Sequence, residues 1–165
     1  MQHMKVNFAG TPVELVGKEL KVGDVVQDFT AVKNDLSAFH LNDIKGRKLI
    51  VAVPSLDTSV CDLEVRRFNT EATKLTDVTV ITISMDLPFA QKRWCGAAGA
   101  DKVIAVSDHK DRDFAHKSGT YLPNVGLLAR SVFLLDGDNK VQYVEYVPEV
   151  TSHPDYEKAL KAVKG

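Results

Sequence analysis

Lys48-Leu49-Ile50-Val51-Ala52-Val53 is a run of apolar, mostly β-branched residues that shows no polar alternation and stops at Pro54. A strand without a polar face must be covered on both sides, so the run predicts a central strand with helices above and below it. Val78-Thr79-Val80-Ile81-Thr82-Ile83 repeats the style, and Val103 to Val106 is a third, shorter strand. Residues 60 to 75 lie between the first two runs and carry Leu63, Phe68, Ala72 and Leu75 at helical spacing. Pro88 to Ala98 reads as a short helix that opens with proline in its first turn. Strand, helix, strand, helix, strand is the order of a sheet with parallel central strands.

The flanks add hairpins. Val6 to Phe8 and Val13 to Val16 surround Gly10-Thr11-Pro12, and Phe29 to Lys33 and Ala38 to Leu41 surround Asn34-Asp35. Asp111 to Lys117 reads as a short helix. Leu127 to Leu135 and Val141 to Val147 bracket the turn signal Asp136-Gly137-Asp138-Asn139. Pro154 to Lys164 is an amphipathic helix with Tyr156, Leu160 and Val163 on one stripe. The expected architecture is a single α/β domain over residues 1–165: a mixed central sheet flanked by helices, with an N-terminal β-hairpin extension.

Charge narrows the function. Twenty-one Lys and Arg against 22 Asp and Glu give a net charge of -1, which argues against nucleic acid or an anionic membrane as the main partner. No apolar run approaches the roughly 20 residues of a membrane span. The N-terminal stretch lacks the basic, apolar and small-residue pattern of a secretory signal, so a reducing, cytoplasmic setting is expected.

Cys61 and Cys95 are the only cysteines. They form no C-x-x-C, and the histidines at 3, 40, 109, 116 and 153 show no H-x-x-x-H or H-E-x-x-H spacing, so no metal site is expected. Buried inert thiols are the plain reading of such a pair. The setting of Cys61 argues otherwise. Pro54 to Val60 is a loop leaving a buried strand, and Thr58 or Ser59 can cap the helix that follows, which puts Cys61 in its first turn. There, free N–H groups and the helix dipole favour a thiolate. Moving a thiol pKa from about 8.5 to about 6 takes roughly 3.4 kcal/mol, and a helix end supplies at most about 2. A cation must supply the rest. Arg66 and Arg67 lie more than a turn away. Arg130, in the strand Leu127 to Leu135, shares a face with Leu128, Val132 and Leu134 and is either an edge residue reaching water or the partner of an anion.

Pro54-x-x-x-Thr58-x-x-Cys61 with a later-strand arginine resembles the active-site signature of the peroxiredoxins. The string PSLDTSVCDLEVRRFN, with GTPVELVG, Trp94-Cys95 and LLARSVFLLD, is similar to the bacterial thiol peroxidase subfamily of atypical two-cysteine peroxiredoxins, from about Val6 to the C-terminus. The resemblance implies a thioredoxin-like fold and reduction of hydrogen peroxide and organic hydroperoxides without a metal or organic cofactor. It implies that Cys61 is the peroxidatic nucleophile and Cys95 the resolving thiol, joined in an intramolecular disulfide that thioredoxin reduces. Thr58 would bind thiol and peroxide, Arg130 would stabilise the thiolate and developing charge, and Pro54 would shield the sulfur. It also implies a homodimer. Gly96 and Gly99 weaken the helix carrying Cys95, so local unfolding is expected to bring the thiols together.

Other readings remain. Cys61 and Arg67 satisfy C-x5-R, the spacing of cysteine phosphatases and arsenate reductases, although Asp62 and Glu64 would put like charges into an anion cradle. A redox-inert thioredoxin-like binding domain is the non-enzymatic alternative. A disulfide reductase would call for the missing C-x-x-C.

Overall fold

In the computed structural model, which describes residues 4–72, 74, 77–98 and 103–164, the central strand is β5 (Arg47–Ala52). It pairs in parallel with β6 (Val78–Ser84), which pairs in parallel with β7 (Val103–Ser107). Antiparallel strands complete both edges: β10 (Ser131–Leu135) and β11 (Val141–Tyr146) beyond β5, β3 (Thr30–Lys33) and β4 (Ala38–His40) beyond β7. The seven-stranded order is β11-β10-β5-β6-β7-β3-β4.

Alternation along β5 assigns two cores. Leu49, Val51 and Val53 face a cluster that includes Val65 and Phe68 of α1 (Ser59–Ala72), Trp94 of α2 (Pro88–Ala98) and Leu160 and Val163 of α4 (Tyr156–Lys164). Ile50 and Ala52 face a second cluster of Phe29, Phe39, Phe133 and Phe114, the last from α3 (Asp113–Ser118). Both faces are covered, as the unalternating run requires. The mixed α/β expectation holds.

The N-terminal hairpin is β1 (Lys5–Phe8) and β2 (Thr11–Glu14). Its turn is Ala9-Gly10, both at positive φ (50° and 84°), not Gly10-Thr11-Pro12. That two-residue geometry matches the twist of paired strands, and Pro12 sits inside β2, where its missing N–H does no harm in a two-stranded ribbon. Val6 and Val13 pack with Leu122 of β8 (Tyr121–Leu122), Ala129 and Val150. Glu149 fastens the turn by accepting the Ala9 and Gly10 N–H groups at 3.1 and 2.8 Å. These bonds, with those from Thr151, hold its carboxyl down to about 2.

Two further sequence expectations need correction. The strand expected over Leu127 to Leu135 is two strands, β9 (Leu127–Leu128), paired with β8, and β10, with Ala129 and Arg130 between them. Leu128 therefore faces the phenylalanine-rich core while Val132 and Leu134 face the other. Leu63, read as a core position of α1, is 56% exposed because it lies on the turn's outer side. Leu75 and Gly99 lie outside the described residues.

Lys48 begins the apolar run yet is buried. Its Nζ donates to the Gly46 carbonyl at 3.0 Å and to Asn139 Oδ1 at 2.6 Å, and burial pushes its pKa down while Asp136 pulls it up. Asn139 also holds the left-handed position of the β10–β11 turn, at φ 65°. Asn139→Gly keeps the turn and removes the acceptor, lowering stability by about 2 kcal/mol. Asn139→Ala adds backbone strain of about 1 kcal/mol. Urea denaturation of both variants checks this order, and two unchanged midpoints would refute it.

Candidate active site

The loop after β5 is fixed at both ends. Pro54 is buried directly beyond the strand. Asp86, beyond β6, accepts from Ser55 Oγ at 2.7 Å, the Leu56 N–H at 2.8 Å and Ser84 Oγ at 2.8 Å. Thr58 is the cap of α1: its Oγ1 accepts the Cys61 N–H at 3.3 Å, and its hydroxyl donates to the Ser55 carbonyl at 3.2 Å. Cys61 is thus the third residue of the helix, in the first turn as the sequence implies. It has no exposed surface.

Arg130 is 2% exposed, so it is no edge arginine reaching water. Its Nε donates to the Val150 carbonyl at 2.7 Å and its Nη1 to Glu64 Oε1 at 2.5 Å, and the Cys61 sulfur is close enough for its charge to act on the guanidinium. Burial pushes its pKa down, but the charges of Glu64 and Cys61 more than offset this, and the net shift is upward. The break between β9 and β10 lets the side chain leave the ladder and enter the space over α1.

Glu64 is the residue that sequence reasoning missed as a partner. It lies one turn after Cys61 on the buried side of α1, and that i, i+3 spacing was the available signal. Burial raises its carboxyl to about 7 in spite of Arg130, and its Oε2 is buried with no hydrogen-bond partner among the described residues. Tyr156, on α4, borders the same cluster and is pushed up to about 12, chiefly by burial and then by Glu64.

Pro54, Thr58, Val60, Arg130, Val150 and Phe8 line a cavity of about 280 Å³. The N-terminal hairpin therefore supplies one wall. Among the described residues no three His, Cys, Asp or Glu side chains converge to hold a metal ion. No helix among them is long and apolar enough to cross a membrane.

Cys95 lies in α2, partly buried against the cluster that contains Cys61, and both thiols are free. Burial pushes the Cys95 thiol up, while a hydrogen bond with the Asn34 side chain pulls it down. A buried, protonated thiol of this kind is a poor nucleophile until it is exposed. The C-x5-R reading fails on geometry. Cys61 to Arg67 are helical and cannot wrap an anion, and the Arg67 guanidinium stacks 4.4 Å from the Tyr156 ring.

Because Glu64 binds its proton more tightly folded (about 7) than unfolded (about 4.5), the protonated form stabilises the fold at low pH. That contribution is complete below about pH 4.5 and lost as pH rises to about 7. Asp108, raised to about 6 mainly by burial, adds a slope of the same sign. Glu64→Gln removes the Glu64 part alone, so urea midpoints measured from about pH 5 to about pH 8 fall less steeply than in wild type. Equal slopes would refute the assignment.

The Redoxin family model matches residues 21–160. A thiol peroxidase of Bacillus subtilis (strain 168) is 56% identical over 161 residues, 97% of this chain and 96% of that protein. A thiol peroxidase of Staphylococcus aureus (strain MRSA252) is 50% identical over 97% of this chain and 98% of that one. The crystal structure of a peroxiredoxin-like protein from Aquifex aeolicus aligns with a TM-score of 0.91 at 42% identity, over 98% of each chain. The thioredoxin-like fold implied by the sequence thus holds. A capped cysteine beside a buried arginine, on this fold and with these relatives, places the chain in the Redoxin family, among the peroxiredoxin-type thiol peroxidases.

Proposed function

We propose that Cys61 is the peroxidatic nucleophile and Cys95 the resolving thiol of a hydroperoxide reductase that acts within one domain, residues 1–165. The observation that carries this reading is the buried Arg130 guanidinium, bonded to Glu64 and close to the Cys61 sulfur beside the cavity. As its thiolate, Cys61 attacks the terminal oxygen of ROOH; the O–O bond breaks, a proton joins the departing RO⁻ and the products are Cys61–SOH and ROH. Arg130 stabilises the anionic sulfur and the negative charge developing on the peroxide oxygens. Thr58 turns its hydroxyl from the Ser55 carbonyl towards the peroxide, and Pro54 keeps water from the sulfur.

Cys95–SH then condenses with Cys61–SOH, releasing water and leaving the disulfide, which a thioredoxin dithiol reduces by exchange. Partial unfolding of α2 and of the first turn of α1 joins the two sulfurs. Hydrogen peroxide and organic, alkyl or lipid hydroperoxides are the substrates, and Phe8, Val60 and Val150 give an alkyl chain apolar contacts. No metal or organic cofactor enters this chemistry, and neither nucleic acid nor a membrane is a partner. The chain works in the cytoplasm as a homodimer, a state favoured by the exposed Leu87 and Phe89 at the start of α2.

A thioredoxin-coupled assay tests the roles. Cys61→Ser is inactive with every reductant; Cys95→Ser loses thioredoxin-linked turnover but still reduces one equivalent of peroxide. Amide exchange of residues 90–98 rises on oxidation. Full activity of Cys61→Ser would overturn the assignment of Cys61 as the nucleophile. Sedimentation equilibrium gives twice the 18.2 kDa chain mass, and a monomer at micromolar concentration would remove the dimer.

A further inference from the structure

Each reactive thiol has a neighbour in sequence that touches the other thiol's neighbour. Asp62 follows Cys61 and Trp94 precedes Cys95, and Trp94 Nε1 donates to Asp62 Oδ1 at 2.6 Å. Arg66 Nε lies 2.9 Å from both Asp62 oxygens, and its guanidinium stands 5.9 Å from the Trp94 ring. The indole itself packs among Leu56, Cys61 and Val65. The first turn of α1 and the last turns of α2 are therefore fastened together by one short hydrogen bond to a carboxylate that is itself held in place.

We propose that Asp62 and Trp94 are positioning residues for the resolving step: their bond holds Cys95 back in α2, and its rupture sets how fast Cys95 reaches Cys61. This rests on the reading of the two cysteines given above. Disulfide formation needs the two Cα atoms within about 7 Å, and in the proposed cycle the Cys95 turn leaves α2 to meet that limit. Trp94 is bonded to Cys95 through the backbone and travels with it, so the indole must give up Asp62. Gly96, the next residue, weakens the helix and has no neighbour among the described residues within 4 Å of where a Cβ would stand. Asp86 ties the Cys61 loop to the chain before α2 begins, so its bonds survive when the far end unwinds.

While Cys95 is held back, the sulfenic acid has two fates. It condenses with Cys95, releasing water, or it takes an oxygen from a second ROOH to give Cys61–SO₂H and ROH. The Asp62–Trp94 bond sets the ratio.

The test uses the full-length protein, cumene hydroperoxide and mass spectrometry of rapidly quenched samples, which separates loss of two hydrogens from gain of two oxygens. Trp94→Phe keeps an aromatic ring and removes the donor; Asp62→Ala removes the acceptor. Each is expected to form the disulfide about 10-fold faster than wild type, with correspondingly less sulfinic acid at high peroxide. The rate of the first reaction at Cys61 stays unchanged, which a damaged site would not allow. The double variant is no faster than either single one, because both remove the same bond. Asp62→Asn, which keeps an acceptor, falls between wild type and Asp62→Ala. Trp94 is the only tryptophan, so wild-type fluorescence should change in the disulfide-forming phase and not in the earlier one. Unchanged or slower disulfide formation in both single variants, or additive effects in the double, would overturn the proposal. Absence of any disulfide in wild type would instead overturn the cysteine roles, and the proposal with them.

Discussion

The buried contact of Arg130 with Glu64 is the interaction around which the site is arranged. A guanidinium with almost no exposure persists only when its donors and its charge are both answered. Glu64 answers the charge, the Val150 carbonyl takes Nε, and the Cys61 sulfur is the remaining neighbour. The partners come from two elements: α1, which carries both Cys61 and Glu64, and the segment after β11, which carries Val150. The sheet register that pairs β10 with β5 brings them together, with Ser131 opposite Ala52 two residues before Pro54. A shift of that register would move the guanidinium relative to the thiol, so the packing of the central strands controls the chemistry at their ends.

Much of this could be read before the fold was known. β5 and β6 announced themselves because a run without polar alternation has few alternatives. Thr58 as the cap and Cys61 in the first turn followed from local backbone rules, which need no distant information. The break at Ala129-Arg130 was hidden, because an apolar run on either side of one arginine looks the same whether the strand continues or stops. Glu64 was hidden for a related reason. A carboxylate on a helix is ordinarily solvated, and only the distant Arg130 makes its burial tolerable. Lys48 was illegible in the same way: its acceptor Asn139 lies 91 positions away. What sequence conceals here is the long-range answer to a buried charge.

The two cysteines differ in what surrounds them. Cys61 has a cap, a guanidinium and a loop anchored by Asp86, all of which keep its position fixed. Cys95 sits on a short helix with a glycine beside it and the Asn34 amide near its sulfur. The contrast suits the proposed cycle, in which the surroundings of Cys61 are set before substrate arrives and the helix ends loosen only for the resolving step.

The distance along the chain between the parts of the site bears on its history in the cell. Arg130 follows Glu64 by 66 positions, Val150 comes 20 later, and Glu149 reaches back 140 positions to Ala9. A growing polypeptide presents Cys61 long before its guanidinium has been translated, and pairing of such remote segments is slow. The nascent chain therefore carries Cys61 for a time without the guanidinium, and the proposed peroxide chemistry waits until Arg130 has been made and paired. Topology thus acts as a timer on reactivity.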